Sequence, residues 1–188
     1  SPAATKAALE ICEAAGAGFL DAPFTGSKNA AASGKLVYYI GGEPHLLDRV
    51  RPVLEATSTK ILEVGTVGEA TILKIATNLI SAVTVQALAE ATAITTASGI
   101  PAQKLLEALE PNANYSTLVG MKLPTLMSGD FQPHFSLKNM LKDIQYAKAL
   151  GSQAGLETPV LDETISLMRA ADAKGKGDLD FSVIGEGV

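Results

Sequence analysis

The chain has 188 residues, 47% hydrophobic and 19% charged, with no tryptophan and a formal net charge of -5. That suffices for one substantial domain, or for a small domain plus part of another. The acidic balance and the lack of any Lys/Arg cluster argue against a nucleic-acid or anionic-membrane surface.

A single cysteine, Cys12, has no internal disulfide partner, which fits a reducing, cytoplasmic setting. It lies in an Ala-rich helical pattern and reads as packing. The opening SPAATKAALEIC has no basic stretch followed by a long apolar core, so no signal peptide is expected. Ser1-Pro2 reads as a cap and first helical residue, with a helix running to about Ala15 and ended by Gly16 and Gly18. Gly18 to Asp21 is expected as a short strand stopped by Pro23. Asp21 to Leu36 follows as a loop with one Ala-rich helical turn. Leu36 to Ile40 reads as a second strand, Glu43 to Leu54 as a helix bent or restarted at Pro52, and Lys60 to Val64 as a third strand.

Gly68 to Ser98 is the stretch on which the chain turns. It carries only Glu69, Lys74 and Glu90 as charges and has no internal Gly or Pro. A continuous helix there would be roughly 46 Å long. Its apolar residues fall on nearly every face, the pattern of a helix surrounded by protein. The uncharged run between Lys74 and Glu90 is short of the ~20 residues a bilayer requires, and Thr77, Asn78, Ser81, Thr84 and Gln86 also speak against a membrane. The expectation is the central helix of a soluble domain.

Beyond Gly99 the pattern is helical throughout. Helices are expected over Pro101–Leu109, Ser116–Met127 and Leu137 to about Ala149, with a fourth opening at Thr158-Pro159. In the third, Leu137, Met140, Leu141, Ile144 and Ala147 form one apolar stripe. The fold expected is therefore mainly α with a partial α/β piece. A three-stranded remnant of a Rossmann-type sheet over residues 1–66 precedes an all-helical region over 67–188. No G-x-G-x-x-G follows a predicted strand, so a dinucleotide's pyrophosphate turn is not expected in these residues.

Three stretches have chemical potential. Lys74, with Asn78 and Ser81 at successive helical turns, forms a polar stripe. Burial disfavours an ammonium's charged form, so a buried lysine could exchange a proton near neutral pH; alternatively Lys74 snorkels to water. Thr25-Gly26-Ser27-Lys28 offers a hydroxyl, backbone N–H groups and a cation suited to a carboxylate or phosphate, or is simply a solvated turn. Phe135 to Asp143 places Lys138 and Lys142 on one face of a helix, which otherwise reads as an ordinary wet side. His45 and His134 lack ligand-like neighbours, so no metal site is expected.

Taken in order, Asp-x-Pro-x-Thr-Gly at 21–26, Gly34-x-Leu36, Gly65-x-x-Gly68 leading to Lys74-x-x-x-Asn78, Phe135 through Lys142-Asp143, and the closing GDLDFS at 177–182 resemble the β-hydroxyacid dehydrogenase family. The resemblance covers essentially the whole chain. Thr-Gly-Ser-Lys at 25–28 looks most like the glyoxylate/succinic semialdehyde reductase branch, and the helical region like the C-terminal part of 6-phosphogluconate dehydrogenase. The resemblance implies NAD or NADP as cofactor, a small carboxylate substrate, and a homodimer or homotetramer. It implies Lys74 as the catalytic general acid/base, with Thr25, Gly26, Asn78, Phe135 and Asp143 around the substrate and Lys142 towards the cofactor. Members of the family begin with a Rossmann domain that this sequence mostly lacks, so the chain alone is expected to be inactive. The competing readings are 3-hydroxyisobutyrate dehydrogenase-type specificity, a non-catalytic oligomerisation scaffold, or a carboxylate-binding module built on the 25–28 loop.

Overall fold

Ser1 opens the first helix by accepting a hydrogen bond from Ala4 N on its Oγ, the role expected of a serine at that position. A computed structural model describes residues 1–188 and divides by contact into two units, Ser1–Thr77 and Asn78–Val188. The first unit contains α1 (Pro2–Ala14), β1 (Phe24–Thr25), α2 (Lys28–Ala32), β2 (Leu36–Gly41), α3 (Pro44–Glu55), β3 (Ser58–Gly65) and the opening turns of α4 (Glu69–Ala97). The sheet order is β1-β2-β3, with β1 antiparallel and β3 parallel to β2. The β2–α3–β3 crossover buries Leu36 and Ile40 of β2 and Leu47 of α3. The outer edge of β3 has no strand beside it.

The strand expected at 18–21 does not form. Asp21 alone bridges Gly41, through Asp21 N to Gly41 O and Gly41 N to Asp21 O, both 2.9 Å. Pro23 has no N–H to continue the ladder. Its carbonyl still accepts from Tyr39 N at 2.9 Å, so the chain stays alongside β2. Pairing then resumes as Phe24 opposite Tyr38 and Thr25 opposite Val37, within the segment read as loop. The first strand of the sheet is thus displaced beyond the proline.

The second unit holds the rest of α4 with α5 (Ala102–Leu109), α6 (Thr117–Ser128), α7 (Leu137–Gln153) and α8 (Pro159–Ala171). A π-helical turn (Asp172–Lys176) and 3-10 turns (Phe181–Gly187) follow. The buried residues of α7 are Leu137, Met140, Leu141, Ile144 and Ala147, the stripe read from periodicity. Leu88 of α4 joins Val119 and Leu123 of α6 in an apolar cluster flanked by Leu105 and Leu109 of α5.

Helix α4 departs from its expected surroundings. Ala82, Val85 and Leu88 are buried, but Ile80 and Ile94 are 62% and 67% exposed. Within this chain α4 is covered on one side only. By length and composition it is also apolar enough to cross a membrane, although its buried side includes the polar Asn78 and Gln86.

The C-terminal turns are tied down by an ion pair. Lys122 of α6 and Asp180 approach to 2.6 Å between Nζ and Oδ1, their side chains 3% and 0% exposed. Ser182 donates to the same oxygen from Oγ at 2.7 Å and from N at 3.1 Å. On Oδ2 the carboxylate accepts from His134 N at 3.0 Å and Phe135 N at 3.3 Å. Burial alone would push the Asp180 carboxyl up. Hydrogen bonds from Lys122 and Ser182 and the lysine's charge outweigh burial and hold it below its ordinary value of 3.8. Because the folded pKa is the lower one, the stabilisation is complete above that ordinary value and fades as pH falls beneath it. Removing one member of such a buried pair costs about 3–5 kcal/mol. Lys122→Met is therefore expected to lower the urea midpoint sharply. Without its cation the buried carboxylate favours the protonated form, so the variant's deficit relative to the wild type should be largest near pH 7 and shrink as pH falls towards 3. Urea titrations between pH 3 and 7 check both, and a Lys122→Met midpoint equal to wild type would exclude this role for the pair.

Candidate active site

Lys74 lies near the start of α4, in the first unit, and is half-buried. The helix begins there because Gly65 and Gly68, both at positive φ, turn the chain out of β3. Glu69 then reaches back to accept from Thr66 N at 2.8 Å, satisfying a donor that the first turn leaves open. A more distant acceptor completes the start. Asp21 Oδ2 accepts from Gly68 N and Thr71 N, each at 2.9 Å, and Oδ1 from Thr71 Oγ1 at 2.6 Å. Downstream, Thr77 donates its hydroxyl to the Lys74 carbonyl at 2.9 Å.

The loop read as a carboxylate grip runs directly from Asp21. Thr25 closes β1 and is half-buried, and Gly26 follows at φ 128°. A side chain at Gly26 would stand 2.9 Å from Ala30 Cβ and 3.0 Å from Leu36 Cδ2. The glycine is thus required both by its backbone conformation and by close packing against α2 and β2. Ser27 precedes α2, whose five residues make it too short for a substantial helix dipole. Lys28 is exposed.

In the second unit the structure brings together three of the expected residues. Asn78, one turn beyond Lys74 along α4, is 7% exposed. Its Nδ2 donates to Asp143 Oδ2 at 2.7 Å. A carboxylate can only accept, so this contact fixes which end of the amide faces α7. Lys142 Nζ lies 3.1 Å from the other oxygen of Asp143 and remains largely exposed. Lys138 lies one turn before Lys142 on the same helix but pairs elsewhere, with Asp178 at 2.5 Å. The hydrogen bond and charge of Asp178 raise the Lys138 pKa. Phe135 is half-buried, its carbonyl accepting from Phe181 N at 3.0 Å and its ring meeting Phe181 edge-on at 6.5 Å. No group of three or more His, Cys, Asp or Glu side chains is arranged to hold a metal ion.

Sequence reasoning passed over Lys122 and Asp180, although they hold the backbone of Phe135. The available signal was that Lys122 is the only charged residue in α6. It likewise gave no role to Thr71. That residue shows in sequence only as a β-branched hydroxyl near a helix start, and its partner is 50 residues away.

Residues 68–186 match the family described as NAD-binding of NADP-dependent 3-hydroxyisobutyrate dehydrogenase, and residues 1–65 match the NAD binding domain of 6-phosphogluconate dehydrogenase. Glyoxylate/succinic semialdehyde reductase 1 of Arabidopsis thaliana is 29% identical over 186 residues, covering 97% of this chain and 64% of that protein. The NAD-dependent L-serine dehydrogenase of Pseudomonas aeruginosa is 31% identical over 176 residues, covering 90% of this chain and 59% of that protein. The chain thus spans less than two thirds of these relatives. A solved structure of Mycobacterium tuberculosis 3-hydroxyisobutyrate dehydrogenase with L-serine superposes with a TM-score of 0.90 at 29% identity, over 100% of this chain and 66% of that one. The first of the two family matches takes in more than half of the sequence, and on that ground the chain belongs to the β-hydroxyacid dehydrogenase family, whose cofactor is NAD or NADP.

Proposed function

We propose that this chain carries the proton-donating and substrate-holding portion of an NAD(P)-dependent oxidoreductase. The enzyme reduces a small aldehyde or keto acid, of the glyoxylate or succinic semialdehyde type, to the hydroxyacid. The observation that carries this reading is a half-buried lysine placed one helical turn from a buried amide, itself locked onto the Asp143 carboxylate. Lys74 acts as general acid: its Nζ gives a proton to the carbonyl oxygen as negative charge develops there, and takes one back in the reverse direction. Thr25 and the Gly26 backbone hold the substrate's carboxylate. Asn78, oriented by Asp143, steers the substrate, and Phe135 walls the pocket. A cytoplasmic setting suits the single cysteine, Cys12.

The residues present fit the dinucleotide only in part. Lys142 offers an exposed ammonium of the kind phosphate oxygens take. The β2–α3 connection reads Gly-Gly-Glu and the β3–α4 connection Gly-Thr-Val-Gly, and neither has the G-x-G-x-x-G spacing that seats a pyrophosphate. Neither connection supplies a pyrophosphate turn, and in this reading the chain's main share of the chemistry is the proton and the grip on the acid. In an intact protein carrying this chain with a dinucleotide-binding half, Lys74→Ala should cut turnover of succinic semialdehyde by about 10²–10⁴-fold. KM should change far less. Turnover close to wild type would overturn the role given to Lys74.

A second reading, an assembly module without catalysis, draws on the uncovered side of α4. Ile80 and Ile94 stand exposed on a helix with little charge, as at the apolar centre of a subunit interface. Both readings take the chain as a homodimer or homotetramer. Sedimentation of the Ile80→Arg/Ile94→Arg double variant should show a smaller species than wild type, and an unchanged mass would place any interface elsewhere. Turnover by the intact protein separates the readings, since an assembly module has none for Lys74→Ala to lower.

A further inference from the structure

The most connected polar side chain of the first unit is one to which the reaction gives no part. Asp21 is 5% exposed. Its backbone bridges the end of β2 at Gly41, and its carboxylate takes three hydrogen bonds from the start of α4. A cap on a helix needs only a nearby Ser, Thr, Asp or Asn, and here Glu69 already serves Thr66 locally. An acceptor 47 to 50 residues away does something a local cap does not: it ties two separate segments together. Thr71 extends the tie, its Oγ1 lying 3.2 Å from Thr5 Oγ1 of α1. Thr25 follows Asp21 by four residues, and Lys74 follows Thr71 by three. The carboxylate therefore joins the root of the loop to the root of the lysine's helix by charge-assisted bonds, which are short and directional.

We propose that Asp21 is a positioning residue, which fixes the Thr25-Gly26 loop relative to Lys74 by clamping the first turn of α4. The inference rests on the functional reading of those residues given above. A misplacement of about 1 Å between a bound substrate and its proton donor is enough to cost on the order of a hundredfold in rate, so a clamp at the junction has a direct bearing on chemistry.

The test is amide hydrogen exchange followed by NMR on this chain, with succinate as the carboxylate probe, for wild type, Asp21→Ala, Asp21→Asn and Thr71→Val. In Asp21→Ala, exchange at residues 24–27 and 71–75 should rise about tenfold to a hundredfold, while the paired residues of β2 and β3 keep their protection. Succinate affinity should fall about tenfold, and that fall should disappear when Lys74→Gln is present as well, because the clamp then has no partner to position. Asp21→Asn keeps an acceptor for the two amides and should restore most of both effects. Thr71→Val removes one contact only and should show the same pattern in weaker form, which decides the matter if Asp21→Ala does not fold. A uniform rise in exchange across residues 1–77 with unchanged succinate affinity would overturn the inference and leave Asp21 a general stabiliser. If succinate shifts neither Thr25 nor Gly26 in the wild type, the carboxylate reading of the loop fails, and the exchange pattern alone still decides the clamp.

Discussion

A carboxylate with no access to water governs the second unit. Asp180 receives Lys122, Ser182 and the amides of His134 and Phe135 on its two oxygens, and five donors around one buried charge leave it little freedom to move. Backbone contacts extend the same junction: Leu137 N meets Leu179 O, Lys138 N meets Gly177 O, and Phe181 N meets Phe135 O. The first turn of α7 is thereby set against the C-terminal turns. Everything α7 presents further on, including Asp143 and the amide of Asn78 it holds, takes its place from that start. Lys122 also stands 4.4 Å over the Phe181 ring, so the ring that meets Phe135 is held by the same cation.

The first unit uses a related device at its other critical crossing. There the acceptor is Asp21, and the groups it satisfies are helix N–H donors with a threonine hydroxyl in place of a lysine. In both units an acidic side chain brings together segments far apart in sequence. In the first unit the partners are the N–H groups of a helix start; in the second the partner is an ammonium buried together with the carboxylate. Helix α4 runs without interruption from Glu69 to Ala97, so the spacing of Lys74 and Asn78 is set by helical geometry itself.

Much of this architecture was legible because it is written in local patterns. Ser1 caps the helix it was expected to cap, the helix expected from Ser116 begins at its cap there, and the stripe of α7 lies where its period put it. The family resemblance rested on motifs that the matched regions also span. What was not legible has physical reasons. Pro23 concealed β1, because a residue without an N–H reads as a strand end even where its carbonyl continues the pairing. The exposed side of α4 was hidden because a helix with almost no charge has no wet face to read. The Asp21–Thr71 and Lys122–Asp180 contacts join residues 50 and 58 apart, beyond the reach of any periodicity.

The sheet ends in a strand with one side open. Among residues 1–188, β3 has β2 on one flank and no strand on the other, which leaves a row of its backbone groups unpaired by these residues. Its sequence, Ser-Thr-Lys-Ile-Leu-Glu-Val-Gly, places Lys60 and Glu63 within that row, both exposed, with Glu63 engaged by Arg51 of α3 at 2.9 Å. A second β3 arriving edge to edge would have to accommodate these long charged side chains and dislodge an arginine. Opposite charges within one short strand thus act as gatekeepers, keeping the border solvated and discouraging the growth of a continuous intermolecular sheet at high concentration.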